Sequence, residues 1–520
     1  MKNINNNILS SEISSKNYLR FFIIFCAITF TGGALIYLGN SKALFGIISL
    51  LFIILVFKRP KWFIYISITW ILSRLIFTSY PIDYFSGGGG IAYLGSGNLL
   101  LSFLRYAAPD NLLIKHLPKV IFVGASLYLL QLFLSKSTLF SRKDVKLKYM
   151  GLFFIISLVS AVANLDFHPK VILFFYHFFF PVVVFYYVIA IGLNDKEKSR
   201  LFAYLMFICF EMQLFFTILQ NFPKLLNGQW SFGDEAIGTF AFPLCQHSVA
   251  LLLIALFFFL SNYIIFNKKS DLFKVLLAFT GILSASVLFF TLLFLGSFFF
   301  YLIIACVTGV VKKTRFLFLF VISIFILSLP IYYISQNIES YYGGNYFIHK
   351  IEENRAKKIT EVNKIYSFIN LGNMMLYEDK YILGAGPGNF LTSAGKQYNS
   401  PLAIKYGSWN VLYGVLGSGD WIENSFVGLV GETGILGWLF YFLFYFSLFK
   451  TFTLLAKRNN YNSESNPTYL FSSATFAFFL IYSFFIGLFE IIENIIPLMI
   501  FAALIYSQSQ NNNNFREIIK

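Results

Sequence analysis

The run VILFFYHFFFPVVVFYYVIAIG occupies residues 171–192 and contains no Asp, Glu, Lys or Arg. Crossing the hydrocarbon core of a bilayer takes about 20 consecutive, mostly apolar residues, so this run predicts a transmembrane helix. Similar blocks recur along the whole chain and predict further spans. With this run they are 19–38, 43–57, 62–78, 118–135, 149–164, 171–192, 201–220, 248–266, 275–291, 294–311, 315–335, 425–449, 469–488 and 491–507. We therefore expect an all-α integral membrane protein with about 12–14 transmembrane helices.

The composition supports this class and excludes others. Of the 520 residues, 58% are hydrophobic and 12% are charged, which is roughly half the charged fraction of soluble domains. The net charge of +16 does not indicate a nucleic-acid partner, because Lys and Arg are spread over short segments between apolar blocks. The four cysteines give no disulfide framework and the five histidines show no metal-ligand spacing. We expect no cofactor, no metal and no nucleic acid.

The positive charges predict the orientation in the bilayer. Placing the N-terminus inside puts the basic segments on the cytoplasmic side, as the positive-inside rule requires. These segments are 58–61, 141–148, 196–200, 268–269, 312–315 and 457–458. Both termini are then cytoplasmic. The predicted organisation is a transmembrane bundle (1–335) with extracytoplasmic loops 79–117 and 221–247, one large extracytoplasmic loop (336–424), and C-terminal spans with a cytoplasmic tail (425–520).

A glycine-dense turn in the large loop is the first candidate site. It reads Leu383-Gly-Ala-Gly-Pro-Gly-Asn-Phe390 and follows an amphipathic helix predicted over 348–375. Glycine permits positive φ and close backbone approach, so the N–H groups of such a turn can form an anion-binding concavity. A tight turn without a ligand is the alternative, and no nucleotide-binding unit surrounds it. The candidate binding residues are Gly386, Gly388 and Asn389.

Two acidic residues lie where the large loop leads into the next span. Glu423 and Asn424 precede the apolar run at the predicted membrane boundary, and Glu432 follows about two helical turns deeper. A carboxylate that deep is costly unless it is paired or faces a cavity, so Glu432 is either a functional or a structurally satisfied side chain. Glycines recur every third position from 428 to 437 and predict a thin helix face for close packing.

A histidine and three arginines complete the candidates on the predicted outer side. His247 ends the segment Gly238–His247 at the outer surface, where a lone imidazole is either a base or a structural residue. Arg74, Arg105 and Arg355 are the arginines on that side. A guanidinium is the natural bidentate partner of phosphate, so these three are candidate phosphate ligands.

These clusters, in this order, resemble the O-antigen ligase / O-antigen polymerase family of bacterial membrane glycosyltransferases. The resemblance covers about 230–450 and rests on Gly238-Thr-Phe-Ala-Phe-Pro243, the glycine turn, and Glu423-Asn424 followed by Glu432-Thr-Gly-Ile-Leu-Gly437. It implies a GT-C-like helical protein of the bacterial inner membrane. It also implies a metal-independent glycosyltransferase with a polyprenyl-diphosphate-linked oligosaccharide donor, a saccharide acceptor and, as further partners, a flippase and a chain-length regulator.

The chain departs from the family pattern at two places, and the departures favour a polymerase. Family members commonly carry His-Asn where this chain has Glu423-Asn424, and many carry Ser-Arg where it reads Thr291–Ser297 without arginine. The missing imidazole favours a polymerase of O-antigen, capsule or exopolysaccharide repeats over a ligase or protein oligosaccharyltransferase. Glu423 is then the candidate base, with His247 and Glu432 as the other catalytic candidates. A polysaccharide transporter or flippase is the alternative of another class.

Overall fold

The structure is a computed structural model that describes the chain in separate ranges. These are 15–38, 42–73, 112–135, 145–164, 169–218, 245–285, 289–311, 364–390, 392, 400–406, 425–461, 467–484 and 492–510. Every regular element in these ranges is a helix. The prediction of an all-α chain is confirmed for these residues. The predicted span 315–335 lies outside them.

Most of the helices follow the predicted apolar blocks, because an apolar run of that length has few other ways to satisfy its backbone in lipid. The predicted span 275–291 is wrong in its bounds, since it falls across two helices, Lys269–Ala285 and Phe289–Val307. The described helices are α1 (Ser15–Leu38), α2 (Lys42–Lys58), α3 (Pro60–Ser73), α4 (Leu112–Leu134), α5 (Val145–Ala163), α6 (Pro169–Ala190), α7 (Asp195–Ile218), α8 (Cys245–Phe266), α9 (Lys269–Ala285), α10 (Phe289–Val307), α11 (Lys364–Glu378), α12 (Pro401–Tyr406), α13 (Ser425–Tyr461), α14 (Pro467–Tyr482) and α15 (Ile492–Gln510). Within α7, Ile208–Met212 forms a π-helical turn.

Six of the described helices are long and apolar enough to cross a membrane, namely α4, α5, α6, α7, α8 and α13. Their outward faces carry large apolar side chains, such as Leu134 and Ile172, which are 70% and 74% exposed. Such exposure is unfavourable in water and natural against lipid. The described chain is therefore an all-α protein suited to a bilayer.

Aromatic contacts join the three helices that carry the candidate site. Phe153 of α5 packs against Tyr441 of α13 with ring centroids 5.0 Å apart, and Phe178 of α6 meets the same tyrosine edge-on at 5.4 Å. Tyr441 and both phenylalanines are buried. An edge-to-face pair such as Phe178–Tyr441 stabilises the packing beyond the burial of its surface. The site is thus supported by a rigid aromatic layer.

The helix α13 is interrupted at Gly434. This residue has φ 70° and ψ −178°, a conformation that is essentially confined to glycine. Helix resumes directly afterwards, so residues 435–461 alone measure about 40 Å, more than the ~30 Å hydrocarbon core. The structure therefore corrects the predicted span 425–449. Glu432 lies beside a break at one end of a long helix, not two turns inside a continuous one.

Two contacts bear on the prediction of which helix ends lie on the same side of the membrane. Lys61, at the start of α3, pairs with Glu197 of α7 at 2.6 Å. At the start of α5, the Lys146 Nζ donates a hydrogen bond of 3.4 Å to the Tyr506 hydroxyl, near the end of α15. Each contact joins segments that the charge pattern assigns to one side. The grouping of these ends is confirmed, and their cytoplasmic placement stays a prediction.

Candidate functional site

The glycine turn, residues 381–390, docks on the break in α13, and we refer to it as the glycine loop. Residues 384–390 are buried. Three backbone hydrogen bonds join the loop to the helix. They run from the Ala385 N–H to the Gly431 carbonyl (2.8 Å), from the Gly386 N–H to the Glu432 carbonyl (3.0 Å) and from the Ile435 N–H to the Tyr381 carbonyl (3.1 Å).

These bonds replace the ones that the break removes. In a continuous helix the Ile435 N–H would donate to the Gly431 carbonyl. At the break these two groups bind the glycine loop instead. The Ile435 N–H donates to the Tyr381 carbonyl, and the Gly431 carbonyl accepts from the Ala385 N–H. Buried backbone groups must find partners, so the loop and the break stabilise each other. On the α5 side, the Ser160 hydroxyl donates to the Glu432 carbonyl at 3.0 Å.

The loop glycines have the conformation that the sequence predicts. Gly384, Gly386 and Gly388 all have positive φ, at 68°, 96° and 77°. Space is equally restrictive, since a Cβ on Gly384 would lie 2.5 Å from the backbone carbon of Glu432. The predicted close packing on α13 is confirmed at Gly431, which faces the Phe390 ring directly.

The Glu432 carboxylate fills the concavity that this loop forms. Its oxygens accept hydrogen bonds from the backbone N–H groups of Gly388 (2.5 Å), Phe390 (3.2 Å) and Thr392 (3.2 Å), and from the Thr392 hydroxyl. The residue is 0% exposed. Three of these four donors lie on Oε1 and one on Oε2, so both carboxylate oxygens are hydrogen-bonded. We call this arrangement the Glu432 clasp.

The clasp bears on three predicted roles. It gives Glu432 the structurally satisfied environment that was one of its two predicted alternatives. The Gly386 and Gly388 N–H groups donate to α13, so a direct role for them as phosphate ligands stays a prediction that requires the clasp to open. The Asn389 side chain donates to the Ala385 carbonyl at 3.0 Å and thereby braces the loop.

Two lysines that the sequence did not single out lie against the loop. The Lys170 Nζ, at the start of α6, donates to the Asn389 Oδ1, and Lys170 is only 9% exposed. The Lys380 Nζ donates to the Asn164 Oδ1 at 2.8 Å, and the Asn164 amide in turn donates to the Gly384 carbonyl at 3.3 Å. Single lysines beside apolar blocks are typical boundary charges, so no sequence signal marked these two as site residues.

A more exposed ion pair lies beside the site, between α11 and α12. The Glu378 carboxylate meets the Lys405 Nζ at 2.6 Å and accepts a hydrogen bond from the Tyr406 hydroxyl at 2.9 Å. The hydrogen bond from Lys405 holds the pKa of Glu378 below its usual value, and the same bond raises the pKa of Lys405. Solvent screens such a pair, so its role is to link two short helices.

The remaining candidates fall partly or wholly outside the described residues. His247 lies in the first turn of α8, and its side chain is outside the described part. The residues that lie wholly outside it are Glu423, Asn424, Arg74, Arg105 and Arg355. Among the residues that the structure does describe, no group of three or more His, Cys, Asp or Glu side chains is placed to hold a metal ion.

The described part of the site therefore combines one internally bound carboxylate with two ammonium groups at the rim of a rigid loop. Ammonium groups stabilise negative charge that develops on a phosphate or another oxyanion. Comparison with known proteins adds no assignment, since no protein-family model matches the chain and no curated protein matches it.

Proposed function

We propose that this chain is a membrane glycosyltransferase that polymerises polyprenyl-diphosphate-linked oligosaccharide repeats, with about 12–14 spans and its site on the outer face of a bacterial inner membrane. The observation that supports the proposal is the Glu432 clasp. It joins two of the three segments that carry the family resemblance, although 40 residues separate Thr392 from Glu432. Segments that resemble one family and meet in space are expected to serve one site.

The proposed reaction is an attack by an acceptor hydroxyl on the anomeric carbon of the donor sugar. The new C–O bond forms as the bond from that carbon to the diphosphate breaks, and polyprenyl diphosphate leaves with the electron pair. A base takes the hydroxyl proton. Because diphosphate is a good leaving group, the site needs a base and cations rather than a general acid. Glu423, two residues before α13 in sequence, is the proposed base.

Lys170 and Lys380 are proposed to stabilise the charge on the departing diphosphate, together with the predicted Arg74, Arg105 and Arg355. Lys170 donates to Asn389 of the glycine loop, and Lys380 donates to Asn164, which itself donates to the loop at Gly384, so the loop sets where both charges lie. In this arrangement the clasp does not touch the substrate. Glu432 acts as a positioning residue that holds the loop, and the loop holds the cations.

Removing these cations is expected to slow polymerisation. Lys380→Gln should lower the turnover of lipid-linked repeats by purified full-length protein at least about tenfold, because an uncharged amide stabilises a departing diphosphate poorly. Lys170→Gln should act in the same direction, and Lys170→Arg should recover part of the activity because it restores the charge. The measurement is polymer yield on gels under conditions where the wild-type reaction is linear.

Lys405→Gln is the matched control, since Lys405 is an exposed lysine near the site that pairs with Glu378. It should keep wild-type turnover. Wild-type turnover in a folded Lys380→Gln and Lys170→Gln double variant contradicts the assignment of these cations.

Removing the proposed base is expected to stop polymer growth. Glu423→Gln should reduce the rate by about a hundredfold or more, because an amide cannot accept the hydroxyl proton. Polymer length in cells is the readout, at membrane levels of protein equal to wild type. Glu378→Gln, an acidic change on α11 at a partly exposed side chain, is the control and should leave polymer length unchanged. Normal polymer from the Glu423→Gln protein contradicts the base assignment and leaves His247 as the next base to test.

The same purified system separates the other candidate functions. A ligase or oligosaccharyltransferase transfers the repeat to a different acceptor without making polymer, and a flippase moves the donor across vesicles without cleaving its diphosphate bond. Polymer made from lipid-linked repeats alone supports the proposal. Translocation without bond cleavage excludes it.

A further inference from the structure

A basic cavity lies at the other end of α6 from the glycine loop. The helix α6 begins next to Lys170 at the loop and has 22 residues, so its two ends lie roughly 33 Å apart. Leu193, just beyond its C-terminal end, lines the cavity. The cavity has a volume of about 230 Å³ and is formed by α1, α3 and the start of α7. It is far from the clasp, so its role is independent of the proposed glycosyltransferase activity.

The charges around this cavity are unbalanced. Arg20, Lys61 and Arg200 line it, and Glu197 is the carboxylate among its described lining residues. Glu197 is already engaged, because it pairs with Lys61 at 2.6 Å and closes the capping box of α7 with Asn194. The net charge of the four lining groups is therefore +2, and that excess resides on the two arginines.

The two arginines come from different helices and line the same cavity. Arg20 belongs to α1 and Arg200 to α7, and Tyr65 of α3 also lines it. Both arginines are exposed, so an incoming anion can reach them. Guanidinium groups bind phosphate oxygens well, so two of them on the wall of one cavity favour an anionic phosphate as its occupant.

The surroundings of the cavity are those of a lipid boundary. Its floor is apolar and includes Phe21 and Leu201, which are 5% and 1% exposed. Trp62 lines the cavity and is 53% exposed, as expected for a residue of the interfacial aromatic belt. Beside it, α1 presents exposed apolar side chains, including Leu19 and Ile23. A phosphate bound here would lie next to an apolar surface that matches acyl chains.

We propose that this cavity binds the phosphate headgroup of an anionic phospholipid, with Arg20 and Arg200 on the phosphate and the acyl chains along the exposed face of α1. A free phosphate ion would use the same two arginines. The adjoining apolar face and Trp62 favour the lipid. In the predicted orientation this end of the bundle faces the cytoplasm, where a leaflet lipid would fix the depth of α1, α3 and α7.

The test is native mass spectrometry of the full-length protein, purified in detergent and supplied with phosphatidylglycerol or phosphatidylcholine. Wild-type protein should retain phosphatidylglycerol in preference to phosphatidylcholine. Each Lys or Arg near an anionic lipid changes affinity roughly fivefold, so Arg20→Gln with Arg200→Gln should weaken retention about thirtyfold. The double variant Lys268→Gln with Lys269→Gln, exposed cations outside the cavity, should retain the lipid like wild type.

Three outcomes overturn the proposal. The first is equal retention of the two lipids by wild type, and the second is wild-type retention by a folded arginine double variant. The third is displacement of phosphatidylglycerol by an equal concentration of inorganic phosphate, which identifies a free anion as the occupant. Arg20→Lys with Arg200→Lys preserves the charge and guards against misfolding. It should retain phosphatidylglycerol more weakly than wild type and more strongly than the glutamine double variant, because lysine keeps the charge but not the bidentate geometry.

Discussion

Glu432→Ala is expected to abolish the folded protein. The wild-type carboxylate is fully buried and accepts three backbone N–H groups and one hydroxyl. Its removal leaves those donors without their acceptor, and each unsatisfied buried group costs about 1–3 kcal/mol. The sum is comparable with the whole stability of an ordinary domain, about 5–15 kcal/mol. Fluorescence-detected size exclusion and the thermal midpoint in detergent measure the loss.

A more conservative change separates structure from catalysis at this position. Glu432→Gln keeps the shape but places an NH2 group against N–H donors, so its thermal midpoint should also fall. Glu378→Gln, at the exposed ion pair, should stay within about 0.5 kcal/mol of wild type. An inactive Glu432→Gln protein with a wild-type thermal midpoint would mean that Glu432 acts on the substrate and not on the loop.

Gly434→Ala is expected to be nearly as severe. An added Cβ would lie 1.9 Å from the Ile382 carbonyl oxygen, and the residue already has a backbone conformation that alanine adopts only with strain. The obstacle is backbone on the glycine loop, which cannot rotate away. We expect a loss of at least about 3 kcal/mol in the free energy of unfolding, with the loop released from α13.

Gly151→Ala is a matched control for which the expected change in stability is in the opposite direction. Gly151 lies inside α5, and no atom comes within 4 Å of the position its Cβ would occupy. Alanine in a helix interior is favoured over glycine by up to about 1 kcal/mol. The thermal midpoint should therefore rise slightly or stay unchanged. A Gly434→Ala protein that melts like wild type would show that the break in α13 is not held by the glycine loop.

Much of the helical framework was predictable because the thickness of a bilayer fixes the length of an apolar run. The predicted spans 171–192 and 248–266 match α6 and α8 closely. The break at Gly434 was not predictable, because glycines spaced along a span equally indicate close helix packing. Only the contact with the Ile382 carbonyl, on a distant segment, distinguishes a broken helix from a packed one.

The sequence indicates the two parts of the candidate site, the glycine loop and Glu432, but not that they bind each other. The glycine loop and Glu432 each stood out locally, one by its glycine density and the other as a charge in an apolar run. Sequence spacing does not predict contacts between residues 40 or more positions apart. The sequence therefore leaves Glu432 as a candidate catalyst, and only its hydrogen bonds to Gly388 and Thr392 show that it is bound internally. Nothing in the local sequence distinguishes Lys170 and Lys380 from other lysines beside apolar runs, so the sequence does not indicate them as site residues.

The clasp also constrains how the protein is made. An ionised carboxylate in an apolar segment raises the free energy of membrane insertion unless hydrogen-bond donors or a cation pair with it. The amides that bind Glu432 come from residues 388–392, which leave the ribosome before α13 does. The loop also contacts Asn164 and Lys170, so we expect it to dock on α5 and α6 first and to present these amides to the carboxylate. The helix α13 can then enter the bilayer with its carboxylate already hydrogen-bonded.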